Sequence, residues 1–154
     1  MKRWGALLLF LALAVLFLSG CGKKTDIGLL QSRAAQSGLL PAGCWYTGEK
    51  QPWEEGYLSP TLLASFLGCE EWETERFAVF LSATDREFAE IALVCCYTEK
   101  ESARVASLCA ARLAFLRKNA SALFPAALED AFVRVEGRTV IYSASPVNRL
   151  LRAK

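Results

Sequence analysis

A long apolar run at the N-terminus determines which part of the chain is left to form a folded domain. Lys2 and Arg3 precede a stretch from Trp4 to Leu18 that contains no charged side chain. A basic region followed by an apolar one is the arrangement of an export signal. The run is shorter than the about 20 residues that a helix needs to cross a hydrocarbon core. We therefore predict that residues 1–20 are a signal peptide and take no part in the fold.

The apolar run closes with Leu18-Ser19-Gly20-Cys21. These four residues resemble the bacterial lipobox, in which the cysteine receives a thioether-linked diacylglycerol and becomes the first residue of the mature chain. Two acyl chains hold a protein on a membrane, whereas one chain binds only marginally. The motif implies a lipoprotein attached through Cys21 to the extracytoplasmic face of a bacterial cell membrane. A plain signal peptide or an uncleaved signal anchor is the alternative.

Removal of the signal changes the charge of the chain. The full sequence has 18 basic and 16 acidic side chains, and the loss of Lys2 and Arg3 leaves 16 of each. Binding of nucleic acid depends on clustered Lys and Arg, so a neutral domain gives no reason to expect it. The 134 remaining residues of 154 suit one domain. We divide them into a lipidated tether, short helix and loop over 21–57 and an α+β domain over 58–154.

The cysteines and the absence of histidine restrict the chemistry. Five cysteines remain if Cys21 is acylated, no Cys-x-x-Cys is present, and the chain has no histidine. The usual zinc spacings and the thioredoxin-like motif are thus missing, and we predict no metal and no cofactor. We interpret most of these thiols as small buried side chains rather than disulfides. Neighbouring Cys95 and Cys96 would face opposite sides of a strand, which argues against a disulfide between them.

The periodicity of the remaining chain predicts an α+β fold. Apolar residues alternate over 77–82 and 88–97, and a second pair of strands is predicted around the Gly137 turn. Between these pairs, Thr98 and Glu101 have the spacing of a capping box that begins a helix reaching about residue 119. Asp26 and Ser59-Pro60 likewise predict the starts of two short helices. We expect a mainly antiparallel four-stranded sheet, strand-strand-helix-strand-strand, with the long helix and the N-terminal helices on one face.

Two further groups of residues are candidates for recognition. The segment from 39 to 57 shows no periodic pattern and contains Trp45, Tyr46 and Trp53, which could form a binding loop or fold back onto the core edge. Glu70, Glu71, Glu73 and Glu75 could bind a cation or serve as acid and base, but no calcium-loop pattern accompanies them. We interpret these carboxylates as a solvated acidic connection.

Arg112 lies at the edge of the apolar stripe of the long helix. From its spacing it could extend to solvent or pair with a carboxylate such as Glu90. The segments FAEIAL at 88–93, AARL at 110–113, FP at 124–125 and VRVEGRTV at 133–140 resemble a family of small lipoproteins from Gram-positive anaerobes. That family is catalogued as a domain of unknown function, and the resemblance covers about residues 58–145. It implies that Glu90 and Arg112 are the characteristic acid and base of the family and form a structural ion pair or small polar site. This chain departs from the family pattern at residues 114–117, where it has the sequence AFLR and the family has a polar segment.

Three classes of function are compatible with these patterns. The first, which we favour, is a non-catalytic binding or accessory module of the cell envelope that holds an envelope protein partner near the membrane. The second is an enzyme without histidine, for which no catalytic residue can be named because Ser-x-x-Lys and Gly-x-Ser-x-Gly are absent. The third is a thiol-based redox or sensing protein, which would require a depressed pKa at Cys96 or Cys109.

Overall fold

The structure, a computed structural model, describes residues 25–84, 86–120 and 122–153. The strands are β1 Gly43–Thr47, β2 Thr74–Ser82, β3 Glu90–Cys96, β4 Phe132–Glu136 and β5 Thr139–Ala144. The helices are α1 Ile27–Gln36, α2 Pro60–Leu67, α3 Glu99–Ala120, α4 Pro125–Leu128 and α5 Asn148–Arg152, with a 3₁₀ turn at Glu71–Glu73. The strands form one sheet in the order β1-β2-β3-β5-β4, and each neighbouring pair is antiparallel. The α+β class and the antiparallel sheet are therefore confirmed.

The prediction of four strands is wrong, because the segment we expected to be irregular contributes a fifth. Strand β1 pairs with β2 at the sheet edge, with Gly43 opposite Ser82 and Thr47 opposite Ala78. A Cβ atom on Gly43 would lie 2.5 Å from the carbonyl oxygen of Leu81, so a glycine is required for the close approach. The glycines and prolines around this strand obscure its pattern in the sequence. They are compatible with a short edge strand, because such a strand forms backbone hydrogen bonds with a neighbour on one side only. Residues 27–47 thus share the sheet and core of residues 58–153.

The prediction that all helices pack on one face is also wrong. Helices α2 and α3 cover one face of the sheet, where their buried residues join Val79 and Val94 in one apolar cluster. Helices α1 and α5 cover the other face, together with Phe80 and Ile91. Every residue of β3 is buried. A central strand with two apolar faces needs cover on both sides, which explains the second helical layer.

The predicted helix starts are confirmed. Asp26 accepts hydrogen bonds from the first turn of α1, and Ser59 caps α2 ahead of Pro60. The Thr98 amide donates to the Glu101 carboxylate at 2.7 Å, and the Glu101 amide donates to the Thr98 hydroxyl at 3.2 Å. This reciprocal pair is the capping box that begins α3.

The strand registers define two ends of the sheet. The upper end is the one at which Glu90 of β3 lies beside Leu81 and Ala144. The lower end is the one at which Cys96 lies beside Thr74, and it includes the β4–β5 turn. Among the described helices, none combines the length and the apolar character needed to cross a membrane.

Candidate functional site

Glu90, Arg112 and Tyr142 form a polar centre between the sheet and α3. Arg112 Nε donates to Glu90 Oε1 at 2.5 Å, and its terminal nitrogen donates to Oε2 at 2.7 Å. The Tyr142 hydroxyl donates to the same Oε1 at 2.6 Å. Since the three side chains come from β3, α3 and β5, the centre fixes the long helix to two strands. The structure therefore brings together the two residues that the family resemblance had paired and whose spacing alone left the pairing open.

The electrostatics of this centre are those of a structural ion pair. The Glu90 side chain is 4% exposed and that of Arg112 is 35% exposed. The hydrogen bonds from Arg112 to Glu90 hold the pKa of the guanidinium above its ordinary value, although partial burial opposes them. Burial, reinforced by the charge of Glu90, raises the pKa of the Tyr142 hydroxyl. Arg112 also lies 4.3 Å over the ring of Phe66. Both Glu90 oxygens are engaged, which leaves the carboxylate poorly placed to act as a general base.

Three of the cysteines contribute to the same core. Cys69, Cys96 and Cys109 are buried in the cluster between the sheet and α3, and all five described cysteines are free. Burial raises the pKa of Cys96 and of Cys109 from 9.0 to about 12. Burial and the charge of Glu73 raise the pKa of Cys69. The thiolate is the reactive form, so these side chains have the properties of core residues at neutral pH.

Cys95 faces the opposite side of the strand, as predicted. Its Sγ lies 3.7 Å from a carboxylate oxygen of Glu75. It is free, like Cys96, so no disulfide joins the two neighbours.

One carboxylate of the acidic segment is not solvated. Glu73 is 1% exposed, and its oxygens accept from Arg104 and from the Glu70 amide, both at 2.8 Å. The interpretation of the whole segment as a solvated connection is therefore wrong for Glu73. Its charge is balanced by Arg104 of α3, a partner that lies far away in sequence and gives no local signal. In the described part of the chain, no three His, Cys, Asp or Glu side chains are grouped to hold a metal ion.

The three aromatic residues of the candidate binding loop do not form one platform. Trp45 and Tyr46 are consecutive in β1 and pack against opposite core clusters. The Trp45 ring lies 5.4 Å from that of Phe80. Trp53 is 82% exposed and lies in the loop after β1. Trp45 and Tyr46 thus close the sheet edge, and Trp53 alone is presented to solvent.

The sequence did not reveal a cleft at the upper end of the sheet. It has a volume of about 430 Å³ and is lined by residues 38–41, 86–88, 123–127 and Pro146. The rings of Phe88 and Phe124 lie 5.3 Å apart in its wall, and Arg86 and Glu87 supply charges. Four connections meet there because the strand registers bring their ends to one side. Once the sheet order is known, the prolines at 41, 125 and 146 mark three of these four connections.

Comparisons of the chain with protein-family models, with curated proteins and with solved structures found no match. The resemblance to small lipoproteins of Gram-positive anaerobes stays a prediction. The lipidation site predicted at Cys21 lies outside the described residues.

Proposed function

We propose that the protein is a lipoprotein anchored through Cys21 on the extracytoplasmic face of a bacterial cell membrane. The observation that carries this proposal is the position of Cys21, directly after Leu-Ser-Gly at the end of an uncharged apolar run. The domain begins at once after this segment, since Asp26 caps α1. A chain with this layout leaves only a few residues between the anchor and the first helix.

The anchored domain is a non-catalytic binding or accessory module of the cell envelope. Several features support this role over catalysis: the chain lacks histidine, the Glu90 carboxylate is occupied by Arg112 and Tyr142, and the thiols of the core are neutral. The high pKa of Cys96 and Cys109 gives no support to a thiol-based role. The cleft at the upper end supports binding, because ligand and partner sites favour concave surfaces in which aromatic side chains such as Phe88 and Phe124 stand beside a few charged groups.

Membrane attachment is tested with the full-length chain expressed in a bacterium. Cys21→Ser removes the acceptor of the lipid, and Cys44→Ser changes a cysteine that is half-buried on β1. We expect wild type and Cys44→Ser in the membrane fraction after a high-salt wash. We expect Cys21→Ser either to leave the membrane fraction or to remain there only as a longer, uncleaved precursor, which its size on a gel distinguishes. Extraction of wild type by salt, or retention of Cys21→Ser at the same mature size as wild type, would overturn the proposed anchor.

The binding role is tested by photo-crosslinking in cells. Leu39 and Leu62 are both 58% exposed, but only Leu39 lines the cleft. A photoreactive amino acid at position 39 should give a discrete adduct with an envelope protein identified by mass spectrometry. The same group at position 62 is the matched control. Adducts at both positions, or at neither, would contradict a partner site in the cleft.

A further inference from the structure

The N-terminus leaves the fold at the lower end of the sheet. The hydroxyl of Thr25 donates to Glu136 Oε2 at 2.6 Å, and Glu136 is the last residue of β4 before the turn. Ile27 and Leu30 of α1 are buried immediately afterwards. Unwinding α1 to lengthen the tether would expose both side chains. The tether is therefore limited to the residues that precede Thr25.

The length of this tether restricts the position of the domain. From Cys21 to Thr25 an extended chain spans at most about 14 Å. The seven residues of β3, by contrast, span about 20 Å from the first Cα to the last. The tether is too short to reach past the sheet to its upper end. The domain cannot turn its upper end toward the membrane without breaking contacts of α1.

The lower end carries one exposed tyrosine suited to a lipid surface, next to exposed carboxylates that include Glu71, Glu75 and Glu99. Tyr97 follows β3 there and is 53% exposed, and tyrosine is enriched at membrane–water interfaces. The first turn of α3 is held at this end, because the Ser102 hydroxyl donates to the Gly137 carbonyl at 2.9 Å. Lys23 and Lys24 lie in the tether sequence and would be attracted by anionic headgroups.

We propose that the lower end of the sheet lies against the headgroups of the membrane that holds Cys21, and that the upper-end cleft opens away from it. This orientation rests on the proposed lipid anchor. It makes the cleft accessible to a partner in the extracytoplasmic space and keeps it away from the bilayer. Residues 38–41, which line the cleft, follow α1, so this helix runs from the anchored end to the binding end.

The test places a fluorescent label at each end of the full-length lipidated protein. Lys100 and Glu87 are exposed residues of the lower and upper ends, and each is replaced by cysteine. The protein is reconstituted in phosphatidylcholine–phosphatidylglycerol vesicles that contain a headgroup spin-labelled lipid, with protein lacking the added cysteine as the background control. Because β3 separates the two ends by about 20 Å, we expect quenching at position 100 to exceed that at position 87 at least about threefold.

The outcomes distinguish the orientation from the anchor itself. Equal quenching at both positions, or stronger quenching at position 87, on protein with lipidated Cys21 would overturn the orientation alone. The mass of the N-terminal peptide reports the lipid independently of either label. Protein with an unmodified Cys21 and no quenching at either position would overturn both the anchor and the orientation.

Discussion

Glu90 of the central strand and Arg112 of the long helix form a two-point ion pair, with both carboxylate oxygens accepting from the guanidinium. The pair also receives the Tyr142 hydroxyl and is covered by Phe66. It is thus a junction between the sheet and α3 rather than an open reactive site.

Breaking this pair should destabilise the domain. Arg112→Ala leaves the Glu90 carboxylate buried with Tyr142 as its one donor. Removal of one partner of a buried ion pair costs about 3–5 kcal/mol of the free energy of unfolding, and we expect about 3 kcal/mol here because Arg112 is partly exposed. Glu90→Leu combined with Arg112→Met and Tyr142→Phe removes both charges and the hydroxyl that donates to Glu90, and should recover most of that loss. Urea denaturation measures each variant.

The exposed pair between Arg149 and Asp130 is the control for this prediction. Its nitrogen and oxygen lie 2.6 Å apart, but the Arg149 side chain is 85% exposed. Water screens an exposed ion pair, so Arg149→Ala should change the free energy of unfolding much less than Arg112→Ala does. Equal losses for Arg112→Ala and Arg149→Ala would show that the Glu90 centre has no special structural role.

The buried thiols predict a loss of stability in alkali. The pKa of Cys96 and of Cys109 is about 12 in the fold against 9.0 ordinarily, so above pH 9 the unfolded chain releases these protons first. The free energy of unfolding is then unaffected by them below pH 9 and falls between pH 9 and 12, by about 1.4 kcal/mol per pH unit for each thiol. Denaturation curves from pH 8 to 11 measure this slope.

Substitution of single cysteines identifies which thiols cause the fall in the free energy of unfolding above pH 9. Cys109→Ala should reduce the decline above pH 9, whereas Cys44→Ala, away from the buried cluster, should leave it unchanged. A decline that is the same in both variants would exclude Cys109 as a contributor.

Alkylation of the native protein tests the same cysteines by reactivity. Cys69, Cys96 and Cys109 are buried, whereas Cys44 is half-buried on the edge strand. Iodoacetamide at neutral pH should modify Cys44 first and the buried three only after addition of denaturant. Peptide mass spectrometry gives the order in which the cysteines are modified. Rapid modification of Cys96 or Cys109 in the native protein would support the thiol-based redox or sensing function instead.

Two tryptophans that the sequence grouped together should differ in their contribution to stability. Trp45 packs on Phe80, and we expect Trp45→Ala to cost about 2 kcal/mol, less than a fully buried aromatic because the residue is half-buried. Trp53→Ala should remain within about 0.5 kcal/mol, since the side chain is largely exposed. Thermal unfolding compares the two, and equal shifts would place Trp53 in a packed environment.

Trp45→Phe separates packing from hydrogen bonding at the same position. Trp45 Nε1 is buried and has no acceptor among the described residues. Loss of an unpaired buried N–H removes a desolvation cost, so this variant should be close to wild type in stability. A loss as large as that of Trp45→Ala would indicate that the indole nitrogen has a partner.

Local signals in the sequence predicted the individual helices and strands better than the way in which these pack together. The Thr98–Glu101 capping box and the alternation of Ile91, Leu93 and Val94 between the two core clusters are set by neighbouring residues and are confirmed. Glu90 and Arg112 were paired with the help of a family resemblance. The Glu73–Arg104 pair, with no such guide, was missed because its partners are distant in sequence.

The two errors in the fold have a common physical origin. Strand β1 contains the strand-favouring residues Trp45, Tyr46 and Thr47, but it is short, begins with a glycine and lies in a segment rich in glycine and proline, so no alternating pattern marks it in the sequence. The apolar positions of α1 show that the helix has a buried side but not which sheet face it covers. The upper-end cleft could not be predicted because it arises only where four connections converge.

The mass of the N-terminal tryptic peptide tests the proposed lipoprotein most directly. After cleavage at Lys23 or Lys24, the mature protein should give a peptide that begins at Cys21 and carries the added mass of a diacylglycerol group on its sulfur. A peptide that begins at Cys21 without lipid, or one that begins at another residue, would contradict the anchor on which the proposed function rests.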